Sequence, residues 1–149
     1  MKSDLHLRHA TMGDAKILLD WRNDPLTRAQ SRNTDLVSLA DHMAWLQKRL
    51  GTHTLYIAEY AGEPVGSLRS DSVADGKMEL SWTVAPGMRG KGYGKRMVLQ
   101  FVAEIHPGKK FLASIKKGNV ASEKIAVALG LHEVGHEDAG EKHSFMVWC

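Results

Sequence analysis

Cysteine is almost missing from this chain: the only one, Cys149, is the last residue. An intrachain disulfide is therefore impossible and a cysteine-based zinc site is excluded. Such usage suits a reducing compartment, and a cytoplasmic location is the expectation. Long apolar runs are lacking too. Met1-Lys2-Ser3-Asp4-Leu5-His6 holds no stretch long enough for a signal peptide, and no later run approaches a membrane span. Neither sign of charge dominates, since 20 Lys and Arg against 17 Asp and Glu leave +3, too little to argue for nucleic acid. Repeats, low-complexity tracts and linkers are absent. The eight histidines show no His-Glu-x-x-His spacing, and His132, His136 and His143 fall on terminal strands and turns, so no metal is expected. What remains is an ordinary globular composition, 43% hydrophobic and 25% charged over 149 residues, enough to bury a core without staples.

The pattern of apolar residues predicts the order of elements. A strand covers Leu5–His9. Thr11-Met12-Gly13-Asp14 has a capping pattern and opens a helix to about Trp21, ended around Asn23-Asp24-Pro25. Ser38-Leu39-Ala40-Asp41 opens a second, with Leu39, Met43, Leu46 and Leu50 as its apolar stripe, His42, Trp45 and Arg49 on an adjacent face, and Gly51 as the stop. Strands follow at Thr54–Tyr60, Pro64–Ser70 and Lys77–Val84, separated by turn-rich Ala61-Gly62-Glu63 and Val73–Gly76. In the last of these, Glu79, Ser81 and Thr83 share one face and Met78, Leu80, Trp82 and Val84 the other. A helix over Gly92–Ile105, a strand at Phe111–Ile115, a helix capped by Asn119 through Leu129, and strands at Leu131–Gly135 and His143–Trp148 complete the chain. This order implies one α/β domain over residues 1–149, of the α+β kind. Its centre is a mixed, mostly antiparallel sheet flanked by about four helices.

One segment carries the most chemical information. Val84-Ala85-Pro86-Gly87-Met88-Arg89-Gly90-Lys91-Gly92-Tyr93-Gly94-Lys95-Arg96 ends a strand, passes through glycines and enters an amphipathic helix. Glycines allow close backbone approach and positive φ. Free amides at a helix start point at a ligand and favour an anion. Arg89, Lys91, Lys95 and Arg96 add attraction, and the ensemble suits a pyrophosphate. The P-loop does not fit, because Gly94-Lys95 is followed by Arg96 and the earlier glycine position is Arg89. Neither does the dinucleotide fingerprint, whose third glycine would stand at Lys95 or Met97.

Arg-x-x-Gly-x-Gly does fit, as Arg89-Gly90-Lys91-Gly92-Tyr93-Gly94, and it resembles the acetyl-CoA signature of the GNAT family of N-acetyltransferases. Asn119-Val120-Ala121-Ser122, leading to Gly130-Leu131, is similar to a second segment of that family. The resemblance implies acetyl-CoA as cosubstrate. Trp82, Thr83 and Val84 would lie along the pantetheine arm, on a strand splayed from its neighbour. Backbone amides of Arg89, Gly90, Lys91, Gly92, Tyr93, Gly94 and Lys95 would hold the pyrophosphate, Asn119 and Ser122 would lie near the cofactor, and the thioester carbonyl near the Val84 backbone. Glu79 would act as general base, directly or through a water. The family's usual tyrosine acid is replaced by Ala126, which leaves Tyr93, Ser114 and Ser122 as unranked substitutes.

The first half of the chain would build the acceptor site. Asp20-Trp21-Arg22-Asn23-Asp24-Pro25 and His42-Met43-Ala44-Trp45 look like segments of acetyltransferases for nucleotide-activated amino sugars, including the pseudaminic-acid branch, and of relatives acting on ribosomal protein N-termini. Arg22, Asn23, His42 and Trp45 are the candidate acceptor residues, where an aromatic ring beside Arg and His suits a base and phosphates. The implied partner is a small-molecule amine. Nucleic acid and membrane are not expected, and a homodimer is left open. A non-catalytic acyl-CoA-binding domain is the alternative of another class, suggested by Ala126.

Overall fold

The computed structural model describes residues 4–136 and 145–149. Among these described residues, seven strands form one sheet in the order β1-β2-β3-β4-β5-β7-β6. They are β1 (Leu5–His9), β2 (Leu55–Tyr60), β3 (Glu63–Ser72), β4 (Met78–Val84), β5 (Phe111–Lys116), β6 (Glu133–His136) and β7 (Phe145–Trp148). All neighbours are antiparallel except β4 and β5. Among the described residues five α-helices cover the faces: α1 (Ala15–Asn23), α2 (Pro25–Ala29), α3 (Leu39–Leu50), α4 (Tyr93–Ile105) and α5 (Val120–Ala128). The expected mixed, mostly antiparallel α/β architecture is the one observed. Of the last strand expected from sequence, His143 and Ser144 lie outside the described residues.

Two apolar clusters hold the layers together. On one face α4 and α5 bury Met97, Val98, Phe101, Ile125 and Ala126 against Leu68, Leu80, Phe111 and Ala113 of the sheet. On the other, Leu18, Trp21 and Leu46 of α1 and α3 pack on Leu55, Ile57 and Ala85. The alternation expected in β4 holds: Leu80 is buried in the first cluster, with Met78, Trp82 and Val84 packed against it. Glu79, Ser81 and Thr83 consequently face the α1–α3 side.

Several local expectations need correction. The first helix is preceded by a 3₁₀ turn, Met12–Asp14, and Pro25 starts an additional short helix, α2. Asp24 caps α2, its carboxylate accepting from the Leu26 and Thr27 amides, and proline stands at the first helical position, where its missing donor costs nothing. The apolar stripe of α3 is rotated from its expected centre. Leu39 is 63% exposed, whereas His42 is 3% exposed, because its Nε2 meets the Ala15 carbonyl at 2.9 Å across the α1–α3 contact.

The entry to α1 is fixed by a charged capping box. The Thr11 side chain accepts from the Gly13 amide, and the Asp14 carboxylate accepts from the Thr11 amide at 2.8 Å. Arg8 clasps the same carboxylate with bonds of 2.8 and 2.7 Å. The Arg8 bond outweighs burial and, with the Thr11 amide, holds the Asp14 carboxyl below its usual range. A depressed folded pKa gives stability that is present above the unfolded value, about 3.9, and is lost as pH falls through the folded one. Asp14→Asn should therefore lower unfolding stability at neutral pH by ~2 kcal/mol. The gap from wild type should close below about pH 4. Urea unfolding at several pH values checks this, and a pH-independent gap would assign the loss to geometry alone.

Candidate active site

The strand β4 is the axis of the site. Along its whole length it pairs with β3, from Ser72 opposite Met78 to Gly66 opposite Val84. Toward β5 it pairs only at Met78 and Glu79. The Ala85 amide donates to Val65 at 2.8 Å and the Met78 amide to Lys110 at 2.9 Å, which fixes the direction of the alternating backbone groups. Thr83 and Ser81 therefore turn theirs toward β3, and Trp82 and Val84 toward β5, where neither has a strand partner. The splay implied by the resemblance is present, and it leaves the amides and carbonyls of Trp82 and Val84 unpaired by the sheet.

The glycine-rich segment lies at the open end of this splay. Pro86–Met88 forms a 3₁₀ turn, Arg89 is extended, and Gly90 and Gly92 have φ of +76° and +83°. Gly92 is the N-cap of α4 and has no side chain to occupy the helix start. The first intrahelical bond runs from the Arg96 amide to the Gly92 carbonyl at 3.2 Å. The Tyr93, Gly94 and Lys95 amides are thus left without helical acceptors at the positive end of the α4 dipole. A side chain added at Gly94 would meet Ile125 at 2.9 Å and Val84 at 3.1 Å, so this glycine lets α4 close onto β4 and α5.

On the other side of the splay, α5 presents its own start. The Asn119 side chain accepts from the Ser122 amide at 3.3 Å, and Trp82 Nε1 donates to Ser122 Oγ at 3.1 Å, linking β4 to α5. Ala126 is fully buried in the core, so the position that the resemblance reserves for an acid is occupied by packing.

One open cleft of about 1350 Å³ joins these features. It is lined by Glu79, Trp82, Thr83, Val84, Arg89, Gly90, Gly92, Tyr93, Gly94, Lys95, Asn119 and Ser122, and on the acceptor side by Arg22, His42 and Trp45. Lys91 and Asn23 are the two sequence candidates outside its lining. Asn23 instead holds the loop before α3, donating to the Val37 carbonyl at 3.0 Å and accepting from the Val37 amide at 2.8 Å. His42 stacks under Trp45 with centroids 5.9 Å apart, which orients the 38% exposed indole.

The four basic residues of the segment do not act alike. Arg89 Nη2 donates to Asp24 Oδ2 at 2.7 Å and to Thr27 Oγ1 at 2.9 Å, tying the glycine-rich segment to the start of α2. Burial works against the Asp24 charge, but Arg89 and the Thr27 and Leu26 amides outweigh it and hold the carboxyl below its usual range. Arg96 lies over Tyr60 and Tyr93, 5.1 and 5.9 Å from their centroids.

Glu79 stands on the sheet face that looks toward α1–α3. It is opposite Asp71 in the register, and Arg32 Nη2 lies 4.0 Å from its carboxylate. Arg69, opposite Ser81, lines the cleft on the same face and escaped the sequence reading. The alternation Ser67-Arg69-Asp71 was its signal, readable once β3 and β4 are paired. Among the described residues no three His, Cys, Asp or Glu side chains come together as a metal site, and no helix is long and apolar enough to cross a membrane.

Comparison with known proteins follows the same lines. A family model described as an acetyltransferase (GNAT) domain matches residues 4–132. No curated protein sequence matches the chain. The ribosomal-protein-alanine N-acetyltransferase structure from Brucella melitensis is 27% identical, with a TM-score of 0.78 over 96% of this chain and 97% of that one. Salmonella typhimurium yncA, solved with its cofactor acetyl-CoA, shares the fold at 21% identity and TM-score 0.76 over 98% and 92% of the two chains. Spermidine N-acetyltransferase from Vibrio cholerae, solved with CoA and spermine, does so at 18% identity and TM-score 0.80 over 99% and 94%. With the family model spanning most of its length and the splayed strand, glycine turn and helix start in place, the chain belongs to the GNAT family of acetyltransferases.

Proposed function

We propose that this chain transfers acetyl from acetyl-CoA to a primary amine by direct attack in a ternary complex. The observation that carries the reading is the meeting of three features in one cleft: the uncapped start of α4, the unpaired edge of β4 and the Glu79 carboxylate. The amides of Tyr93, Gly94 and Lys95, with the turn from Arg89 to Gly92, hold the pyrophosphate. Lys91 and Lys95 supply longer-range attraction. Trp82, Thr83 and Val84 line the pantetheine arm, and Asn119 and Ser122 close the opposite side.

In the reaction the amine nitrogen bonds to the thioester carbon, Glu79 takes the amine proton directly or through a water, and the carbon–sulfur bond breaks to release the CoA thiolate. A β4 amide steadies the oxyanion. Val84 and Trp82 both offer one, and the rise of a strand separates them from Glu79 by about 17 and about 10 Å. Because a general base must reach the amine within one water, the Trp82 amide suits the oxyanion better than Val84. With Ala126 buried, the thiolate must leave without the family's usual tyrosine. Ser122, whose oxygen already accepts from Trp82, keeps its hydroxyl hydrogen for the sulfur.

For the acceptor, a small molecule such as a nucleotide-linked amino sugar fits the exposed Trp45 ring and Arg22 at the cleft. A protein N-terminus is the second reading, favoured by the 27% identity to the Brucella enzyme. The test is release of free thiol from acetyl-CoA with a panel of amines. Release that depends on one amine class supports transfer. Tight CoA binding with no turnover on any amine would instead favour a binding domain.

A further inference from the structure

The acceptor side of the cleft contains two buried guanidinium nitrogens that make no aligned hydrogen bond. Arg22 Nη1 and Arg69 Nε make no hydrogen bond among the described residues, although both side chains line the cleft. A buried charged donor without an acceptor is costly, and native proteins keep few of them. Neither guanidinium is loose: Arg22 Nη2 donates to the Asn33 carbonyl at 2.7 Å, and Arg69 Nη2 to Ser81 Oγ at 3.4 Å.

Counter-charge is also thin. Asp71 is shared between Arg49 and Arg69, and its Oδ2 lies 3.3 Å from Arg69 Nε without the alignment of a hydrogen bond. Burial, followed by the like charge of Arg49, lowers the Arg69 pKa despite Asp71 and Glu79. Burial, followed by the like charge of Arg28, does the same at Arg22. In the register, Arg69 faces Ser81 and Asp71 faces Glu79, so Arg69 and Glu79 are diagonal neighbours on one sheet face, roughly 7–8 Å apart. An anion held at Arg69 would sit beside the group assigned to the amine proton.

We infer that the Arg22 and Arg69 guanidiniums each offer an anion contact on the acceptor side of the cleft, so that the amine acetylated here also carries a carboxylate or a phosphate and is not a polycation. The inference rests on the acetyl-transfer reading above and adds the substrate class to it. Planar guanidinium edges match both anions, and a bound substrate anion would give Arg22 Nη1 an acceptor and Arg69 Nε an aligned one beside its ion pair with Asp71.

The experiment compares β-alanine, O-phosphoethanolamine, ethanolamine and spermidine as acceptors at saturating acetyl-CoA. Alongside, calorimetry follows their binding to the CoA-loaded protein. One anionic amine should exceed ethanolamine and spermidine by at least about tenfold in kcat/KM and bind measurably tighter, and which of the two does so separates carboxylate from phosphate. In Arg69→Gln and Arg22→Gln the ratio of anionic to neutral acceptor should collapse through KM, with the CoA dissociation constant retained. Spermidine or ethanolamine performing as well as the anionic amines overturns the anion contacts, as does a preference that survives both substitutions. CoA binding with no anionic amine bound or acetylated overturns them equally. Absence of CoA heat and of thiol release with every amine would instead remove the acetyl-transfer reading itself.

Discussion

Gly92→Val is expected to weaken CoA binding about a hundredfold while leaving the protein folded. Two independent features of the turn lead to that number. Gly92 sits at φ +83°, where a β-branched residue is strongly disfavoured. The substituted turn would therefore rotate and carry the Tyr93 and Gly94 amides away from their common target. Loss of two charge-assisted bonds to phosphate, at about 1.5 kcal/mol each, corresponds to roughly two powers of ten in affinity. Fold is spared because a Cβ at Gly92 would meet nothing within 4 Å. Gly94→Val is the contrasting change, since its Cβ would strike Ile125 and Val84. It should lower the melting temperature through overpacking. Calorimetry with CoA and thermal melts on both variants separate the two effects. Unchanged CoA affinity in well-folded Gly92→Val would discredit the turn as the phosphate cradle.

What the sequence made legible was local. The alternation of β4, the stripe of α4 and the passage from Pro86 to Gly92 each depend on neighbours a few residues apart, and each stands where expected. Features set by distant partners were not legible. Leu39 heads an apolar stripe yet is exposed, whereas His42 is buried beside Leu46, because its acceptor is the Ala15 carbonyl 27 positions away in the chain. The insertion of β7 between β5 and β6 has no signature in either segment. The short α2 does have one, since Asp24-Pro25 is a cap followed by a first-turn proline, but the same pair also suits the end of α1. Within the site, the charge of Arg89 points to an anion, whereas its side chain reaches 65 positions back to Asp24. The Trp21-Arg22-Asn23-Asp24 segment gains physical content from this. Trp21 fills the core, Arg22 and Asn23 fasten the following loop, and Asp24 joins the cap of α2 to the glycine-rich turn.

Glu79→Gln carries the other large effect, a fall in turnover of roughly a hundredfold to a thousandfold with CoA affinity retained. The isosteric amide keeps shape and solvation but cannot accept the amine proton. CoA affinity should survive because Glu79 faces α1–α3, whereas the phosphate amides belong to α4 on the opposite layer. A purely structural Glu79, holding Arg32 at 4.0 Å, would produce a different pattern: lower stability with modest change in rate. The pH dependence separates the two cases further. An alkylamine is mostly protonated at neutral pH and must lose a proton before or during attack. As pH rises toward the pKa of the free amine, near 10 for a lysine-like group, more of it arrives already neutral. The deficit of Glu79→Gln should then shrink progressively with pH, since the missing base is needed less. A stability defect has no reason to follow the titration of the acceptor. Steady-state rates of both proteins from about pH 7 to pH 10 provide the comparison. Equal turnover at neutral pH would remove Glu79 from the mechanism, and a deficit constant across the range would leave it a role other than proton acceptor.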